Sequence, residues 1–389
     1  MITSRNPAKD QVAIVSAATT GFTASNTPRS QLSYAVEASI AAIRAAGLGA
    51  ADIDGIIGSG APSAPDLQKT LGIPRVTAFA NPPIPFMNLL AAAVGAVHSG
   101  QCEVALTVHA SYRLPWNTGS AVKDPFRRGG MARGGAPIPE SVFGSPGYTA
   151  WASRYLHEFG GTKEDFGLVA INDRSNAARN PAAAMRDPLT MEQYLSARMI
   201  RDPLCMLDMD IAVDGADAFV VTTAERAADL TDHPVLINAV TLGMTGLCDE
   251  AQTPSLRDHG QQVVVDALQA KGDFWIDDCD VYLPYDGFTI ITLNWLENAG
   301  WCGPGEAGAF LREHWDAATN RVLINGRIPI NPHGGSLSEG ATQGSGHIRE
   351  AVHQLQGLAG DRQVTGAKRA VVTMGGFFFN AQGCLLHTR

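Results

Sequence analysis

Apolar and polar positions change rhythm repeatedly along the chain. Gln11–Ala17 is a β-branched, apolar run after a charged start, and Gln31–Ala46 carries apolar residues at three- and four-residue spacing before stopping at Gly47. The first predicts a strand and the second a helix with glycine as its C-terminal stop. Asp54–Ile57 predicts a short strand. Phe86–His98 predicts a helix ending at Ser99-Gly100, and its near-absence of polar positions predicts cover on every side. Val104–Val108 follows as a buried strand.

The order of helix, break and strand returns near the C-terminus, in Ile348–Leu355, the polar stretch from Gly357 to Gly366, and Arg369–Met374. Between the two halves, Pro115 to Pro139 is rich in Gly, Pro and Arg and reads as an extended loop. Tyr148–His157, Glu164–Arg179 and Met191–Met199 predict helices of an inserted layer, and Ala216–Thr222 predicts a strand. Pro234–Leu242 opens the second half, and Val281–Leu283 predicts a strand leading into Tyr285-Asp286-Gly287-Phe288. The expected organisation is therefore α/β layers built twice: residues 1–113 with 210–232 as one half, 114–209 as an insertion, and 233–389 as the other half.

Composition narrows this picture. Hydrophobic residues make up 45% of the 389 residues and charged residues 17%, against about a quarter in ordinary domains. A large core and a subunit interface are expected, so the chain reads as a dimer. Lys plus Arg number 29 and Asp plus Glu 38, for a net charge of −9, which is the wrong sign for a nucleic-acid partner. The six cysteines are scattered, without CxxC pairs or metal-type spacing, so no metal is expected and reduced thiols in the cytoplasm are the plain reading. The polar start and the lack of a long apolar stretch predict neither a signal peptide nor a membrane span. No GxGxxG or GxxxxGKS segment occurs, which argues against dinucleotide and nucleoside triphosphate cofactors.

Four segments carry a resemblance: 148–180, 196–221, Tyr285–Phe288 and 331–344 (NPHGGSLSEGATQG). Together they resemble the thiolase superfamily, in particular its sterol-carrier-protein thiolase-like and lipid-transfer-type aldolase branch. The resemblance implies a five-layered αβαβα thiolase fold with two pseudo-symmetric halves, an inserted loop domain over the active site and a tight dimer pairing through a strand near Val104–Val108.

The same comparison exposes three departures. Thiolases place a nucleophilic Cys where a strand enters the buried helix of the first half, since a helix N-terminus favours thiolate. Here that stretch is Ala80 to Phe86, Pro83 or a neighbour stands at the nucleophile position, and no Cys, Ser or Thr occurs between Asn81 and Met87. The family's GHP motif falls on Gly340-Ala341-Thr342, so Ala341 replaces its His, and the C-x-G motif falls near Thr373 to Phe377 without its Cys. The second tyrosine that the aldolases carry near Ser338 to Ala341 is absent too.

By resemblance, Tyr285 takes the place of the catalytic Tyr of a Tyr-Asp-x-Phe motif, although a buried tyrosine can equally be a simple hydrogen-bonding strand end. His333 is expected beside the same pocket, and Asp286 is expected to orient backbone or Tyr285. Gly334, Gly335, Gly375 and Gly376 are candidates for bringing N–H groups to a thioester oxygen. Gln343 and His109 are candidate substrate contacts, and His347 is expected to face outward from its helix. Arg127, Arg128 and Arg133, or alternatively Arg198 and Arg201, are candidates for the phosphates of coenzyme A.

The function these readings imply is retro-aldol cleavage of a β-hydroxyacyl-CoA thioester, or its reverse, without a cysteine nucleophile. Tyr285 or His333 would remove the hydroxyl proton, and no cofactor is needed beyond the coenzyme A of the substrate. A small subunit with an OB-fold and zinc ribbon is implied as a partner. Two other readings remain: a catalytically silent subunit that binds acyl-CoA, and a C-acyltransferase that works without an acyl-enzyme.

Overall fold

The protein is described from a computed structural model covering residues 2–113, 145–245, 255–257, 260–375 and 381–389. The first half runs β1 (Val12–Thr19), α1 (Gln31–Ala45), β2 (Gly55–Gly58), α2 (Ala64–Leu71), β3 (Ala78–Ala80), α3 (Met87–His98) and β4 (Val104–Ser111). Helices α4 (Ser145–Phe159), α5 (Lys163–Ala177) and α6 (Met191–Leu195) and strands β5 (Met199–Arg201) and β6 (Leu204–Cys205) are inserted before β7 (Gly215–Thr223) and α7 (Ala224–Leu230). The second half contains β8 (Val235–Gly243), α8 (Gly260–Lys271), β9 (Val281–Pro284), α9 (Thr289–Ala299) and α10 (Ala307–Glu313). It continues with β10 (Trp315–Asp316), β11 (Arg321–Ile324), β12 (Ile328–Pro329), a π-helical turn (Gly335–Glu339), α11 (Ser345–Gln356), β13 (Arg369–Met374) and β14 (Ala381–His387).

Nine strands hydrogen-bond in the order β3-β2-β4-β7-β1-β8-β14-β13-β9. The halves meet at β1 and β8, which share only the pairs Ala13 with Leu236 and Ile14 with Val235. Because side chains on a strand alternate between faces, each strand feeds two cores. Val12 and Ile14 of β1 pack with Leu89 and Leu90 of α3 and Ile348 and Val352 of α11, while Ala13 and Val15 pack with Ala35 and Ala38 of α1. In the second half, Ala370 and Val372 of β13 join the same inner core, and Val371 joins Leu268 of α8 and Trp295 of α9. Two buried helices, α3 and α11, thus lie between the sheet halves, with further helices outside each half, which is the five-layered thiolase arrangement.

Two local expectations change. The segment predicted as a helix over Met191–Met199 is helical only to Leu195, and Met199–Arg201 turns into β5. Thr190 caps the short helix by accepting from the Gln193 N–H at 3.1 Å. The Val104–Val108 strand cannot pair subunits, because β4 is bonded to β2 on one side and β7 on the other. Among the described residues the open edge of that half is β3, which bonds only β2 and carries Phe79 with 68% of its surface exposed.

Candidate active site

A cavity of about 660 Å³ opens where the N-terminal end of α3, the end of β4 and the loops before β7 and α11 converge. Pro83, Ile84, His109, Arg113, Asp210, Ala341 and Gln343 are among its lining residues. Pro83, at or beside the position that the resemblance gives to the thiolase nucleophile, and Ala341, at that of the GHP histidine, therefore face one space. The entrance to α3 is tied to the other half by the Phe86 N–H, which donates to the Gln343 carbonyl at 2.8 Å. Gln343 itself has φ of 55°.

His109 reaches the cavity from the end of β4. The Ser111 hydroxyl donates to the Ala341 carbonyl at 3.0 Å and lies 3.2 Å from His109 Nε2. That geometry assigns the ring proton to Nε2 and leaves Nδ1 without a partner. Burial pushes the His109 pKa down to about 4, against the opposing pull of Asp217, so the ring is neutral near neutrality.

Tyr285 stands at the end of β9, is 7% exposed and is not among the residues that line the cavity. Burial raises its pKa well above that of an ordinary phenol, and the Asp210 and Asp286 carboxylates push the same way, with Ser336 opposing. The hydroxyl is therefore protonated. Gly287 follows in the loop because a Cβ there would sit 2.6 Å from a ring carbon of Tyr285. The Tyr285 ring packs against His347 with centroids 5.7 Å apart.

Asp286 is fully buried and holds the π-helical turn in place. Its carboxylate accepts the N–H groups of Ser336 at 2.7 Å and Leu337 at 2.9 Å, and lies 3.1 Å from His347 Nε2. Burial would raise its pKa, but the His347 contact and the backbone donors hold it below the usual carboxylate range. Asp173 is driven the other way, well above that range, by burial and by Asp286 itself, so it is the protonated member of the pair. The expectation that Asp286 orients backbone agrees with this geometry.

The glycines are used differently from the expected thioester contacts. Gly334 N–H donates to the Asn331 carbonyl at 2.9 Å, and the residue packs so tightly on Ala177 of α5 that a Cβ would come within 2.5 Å. Gly335 has φ of 59°, and its missing side chain leaves room for Asp286, since a Cβ would lie 2.0 Å from Oδ2. Neither lines the cavity. The Gly375 carbonyl accepts from Trp295 Nε1 at 3.4 Å, and Gly376 lies outside the described residues, as do Arg127, Arg128 and Arg133. Arg198 and Arg201 are exposed and do not line the cavity.

His333 is fully buried and not on the cavity wall. Its ring lies 4.6 Å from that of His347 and both of its nitrogens lack hydrogen-bond partners. Burial, His347 and Arg349 lower its pKa well below the ordinary value, so it is a neutral ring. His347 does not face outward as expected: it is fully buried against Asp286, because α11 lies between the sheet halves and its first turn has no solvent side.

A second buried polar group supports the same loop. Arg349 donates to Asp217 Oδ1 at 2.6 Å and to Glu339, while Ser345 Oγ donates to Asp217 Oδ2 at 2.6 Å and Asn180 to Glu339 at 2.7 Å. Burial pushes the Glu339 carboxyl up to about 7 against the attraction of Arg349.

Sequence reasoning did not single out Asp210, Arg113, Asp173 or Asp217. The Asp208-Met209-Asp210 stretch held no usable signal: the turn at Met206–Asp208 sends Asp208 to Tyr194, Thr289 and the Cys205 N–H while Asp210 reaches the cavity.

Residues 251–389 match the family described as thiolase C-terminal domain-like. The 17-hydroxy-3-oxo-4-pregnene-20-carboxyl-CoA lyase of Mycobacterium tuberculosis is 32% identical over 387 residues, covering 94% of this chain and 96% of that protein. The steroid side-chain-cleaving aldolase of Thermomonospora curvata is 33% identical, covering 86% and 88%. The solved structure of an Ltp2-ChsH2(DUF35) aldolase superposes with a TM-score of 0.82 at 30% identity over 98% of both chains. The SCP2-thiolase-like protein type 1 of Mycobacterium smegmatis shares the fold, with a TM-score of 0.70 at 18% identity over all of this chain and 78% of the other. Similarity that spans nearly the whole length, on a sheet whose two faces are layered as thiolases layer them, settles the family: the chain belongs to the thiolase superfamily, within its sterol-carrier-protein thiolase-like, aldolase branch.

Proposed function

We propose that this protein is a thiolase-like carbon–carbon lyase that cleaves a β-hydroxyacyl-CoA by a retro-aldol step. The observation that carries the reading is the pairing of near-full-length similarity to an acyl-CoA lyase and a steroid side-chain-cleaving aldolase with a cavity that is lined by Pro83 and by no cysteine among the described residues. Cleavage takes the proton of the β-hydroxyl and turns the C–O bond into a carbonyl. The electrons of the broken C–C bond pass into the thioester as an enolate, whose α-carbon is then protonated. The reaction is redox-neutral and its electron sink is the substrate's own thioester, so the chemistry as written needs no cofactor beyond the coenzyme A it acts on. Tyr285 does not line the cavity, but it is a neutral phenol that feels the charge of the cavity-lining Asp210, and the proposal gives it the proton that goes to the enolate carbon.

The test is incubation of the protein with a tertiary β-hydroxyacyl-CoA, alone and with a co-expressed subunit of the DUF35 class named in its structural relative, with mass detection of the released carbonyl compound and the shortened acyl-CoA. Release in either arm supports the reading, and an intact substrate in both arms overturns it. A cytoplasmic location is part of the proposal.

A cysteine-free mechanism makes a separate prediction. Cys102, Cys205, Cys279 and Cys384 are buried and burial raises their thiol pKa values, to about 11 for Cys102 and Cys205 and about 12 for Cys279. None of these lines the cavity, nor does the partly buried Cys302. Iodoacetamide treatment of the native protein should leave turnover within about twofold, because thiolate is the reactive form and is scarce in such thiols. Loss of turnover mapping to one cysteine would show that a thiol takes part.

The homodimer is the remaining proposal. With β3 the open edge and Phe79 and Ile84 exposed beside it, a second copy is placed there. Sedimentation at micromolar concentration should give a dimer, and Phe79→Glu should shift it toward monomer by placing a charge in an apolar contact.

A further inference from the structure

Retro-aldol cleavage needs a base that reaches the substrate hydroxyl, and neither sequence-derived candidate supplies one. Tyr285 is held protonated by burial and by the neighbouring carboxylates, and neither it nor His333 lines the cavity. Resting on the lyase reading above, we infer that Asp210 is the catalytic base.

Three observations carry this. First, Asp210 lines the cavity together with Pro83, His109 and Ala341. Second, the backbone fixes its place: its N–H donates to the Gly287 carbonyl at 3.0 Å, Met209 bridges to Phe288, and Ile211 donates to Ser336 and accepts from Ala341. The residue is thereby strapped between the loop that carries Tyr285 and the turn that carries Ser336. Third, its carboxyl has no side-chain hydrogen bond among the described residues, whereas Asp208, Asp217, Asp286 and Glu339 are each engaged by two or more donors. Those four hold structure together, and Asp210 is left free to exchange a proton.

The groups that set its titration are Asp286 and Tyr285 on the adjoining loop, His109 and Arg113 across the cavity, and Glu339 on the π-helical turn, which is turned inward to Arg349. Burial first and Asp286 second push its pKa up to about 7, where a carboxylate is a competent base near neutral pH. In the step, Asp210 takes the β-hydroxyl proton as the C–C bond breaks, and the electron pair enters the thioester enolate. Tyr285 then protonates the α-carbon, and the Asp210 carboxylic acid returns its proton to the Tyr285 oxygen. One proton leaves the substrate oxygen and one arrives at carbon, so the enzyme ends as it began.

The experiment measures kcat/KM against pH for wild type, Asp210→Asn and Asp210→Glu, each with its partner subunit and each checked for folding by circular dichroism. Wild type should lose activity as pH falls through about 7, because the protonated carboxyl cannot act as a base. Asp210→Asn should lower kcat by about 10²- to 10⁴-fold and abolish that acid limb, and Asp210→Glu should restore part of the activity and the limb. An active wild type with an Asp210→Asn variant that retains near-full rate and the same limb would overturn the assignment and leave the lyase reading standing. A wild type that cleaves no tertiary β-hydroxyacyl-CoA in either arm would overturn the lyase reading, and the base assignment with it.

Discussion

Replacing Tyr285 by Phe should lower kcat by about 10²- to 10⁴-fold, equivalent to roughly 3 to 5 kcal/mol of transition-state stabilisation, with little change in the affinity for substrate. The ring fills its space whether or not it carries a hydroxyl, so its packing on His347 and over Gly287 is preserved. What is lost is a proton donor that acts only after the C–C bond has begun to break, and an interaction made only in the transition state appears in kcat rather than in ground-state binding. Single-turnover kinetics with the CoA thioester measure both quantities. A Phe variant that turns over at near wild-type rate would make the Tyr-Asp-Gly-Phe loop a scaffold.

The second large effect falls on stability. Arg349→Met should destabilise the fold by about 3 to 5 kcal/mol, because it strands two carboxylates in an interior with almost no water. Asp217 and Glu339 would keep only Ser345 and Asn180 as side-chain donors. The effect has a sign in pH. A buried carboxyl that loses its cation has a folded pKa raised above its unfolded value, so the native state binds the proton more tightly and gains stability as pH falls. The variant's deficit should therefore shrink between neutrality and mildly acidic pH and widen on the alkaline side. Urea denaturation midpoints at several pH values check this, and Arg349→Met with Glu339→Gln should recover part of the loss.

The layered fold was legible because its central elements advertise themselves. The almost wholly apolar helix at Met87–His98 and the strands at Val104–Ser111, Gly215–Thr223 and Arg369–Met374 sit close to where periodicity placed them. The helix Thr289–Ala299 was not foreseen: every residue is buried, so no polar face marks it, and its Thr-Ile-Ile-Thr start has the β-branched character of a strand. Of the candidate site, the contiguous motifs led to the cavity itself, whose lining includes the predicted contacts His109 and Gln343 together with Pro83 and Ala341, while the role of Tyr285 stays a proposal. His347 was misjudged because a first-turn helix position is read as exposed unless the layer it lies in is known. Asp210 was invisible for another reason: its role comes from an absence of partners, and partners are a property of three-dimensional neighbours, not of sequence.

The proline-filled entrance of α3 has an evolutionary consequence. Pro83 and Ala341 face the same cavity from different halves of the molecule, and by the family resemblance each stands at or beside a position where thiolases keep one of three cooperating groups. Restoring a thiol alone would yield a nucleophile without its oxyanion partner, and restoring the imidazole alone would serve nothing. Building acyl-enzyme chemistry into this cavity would therefore take several substitutions made together.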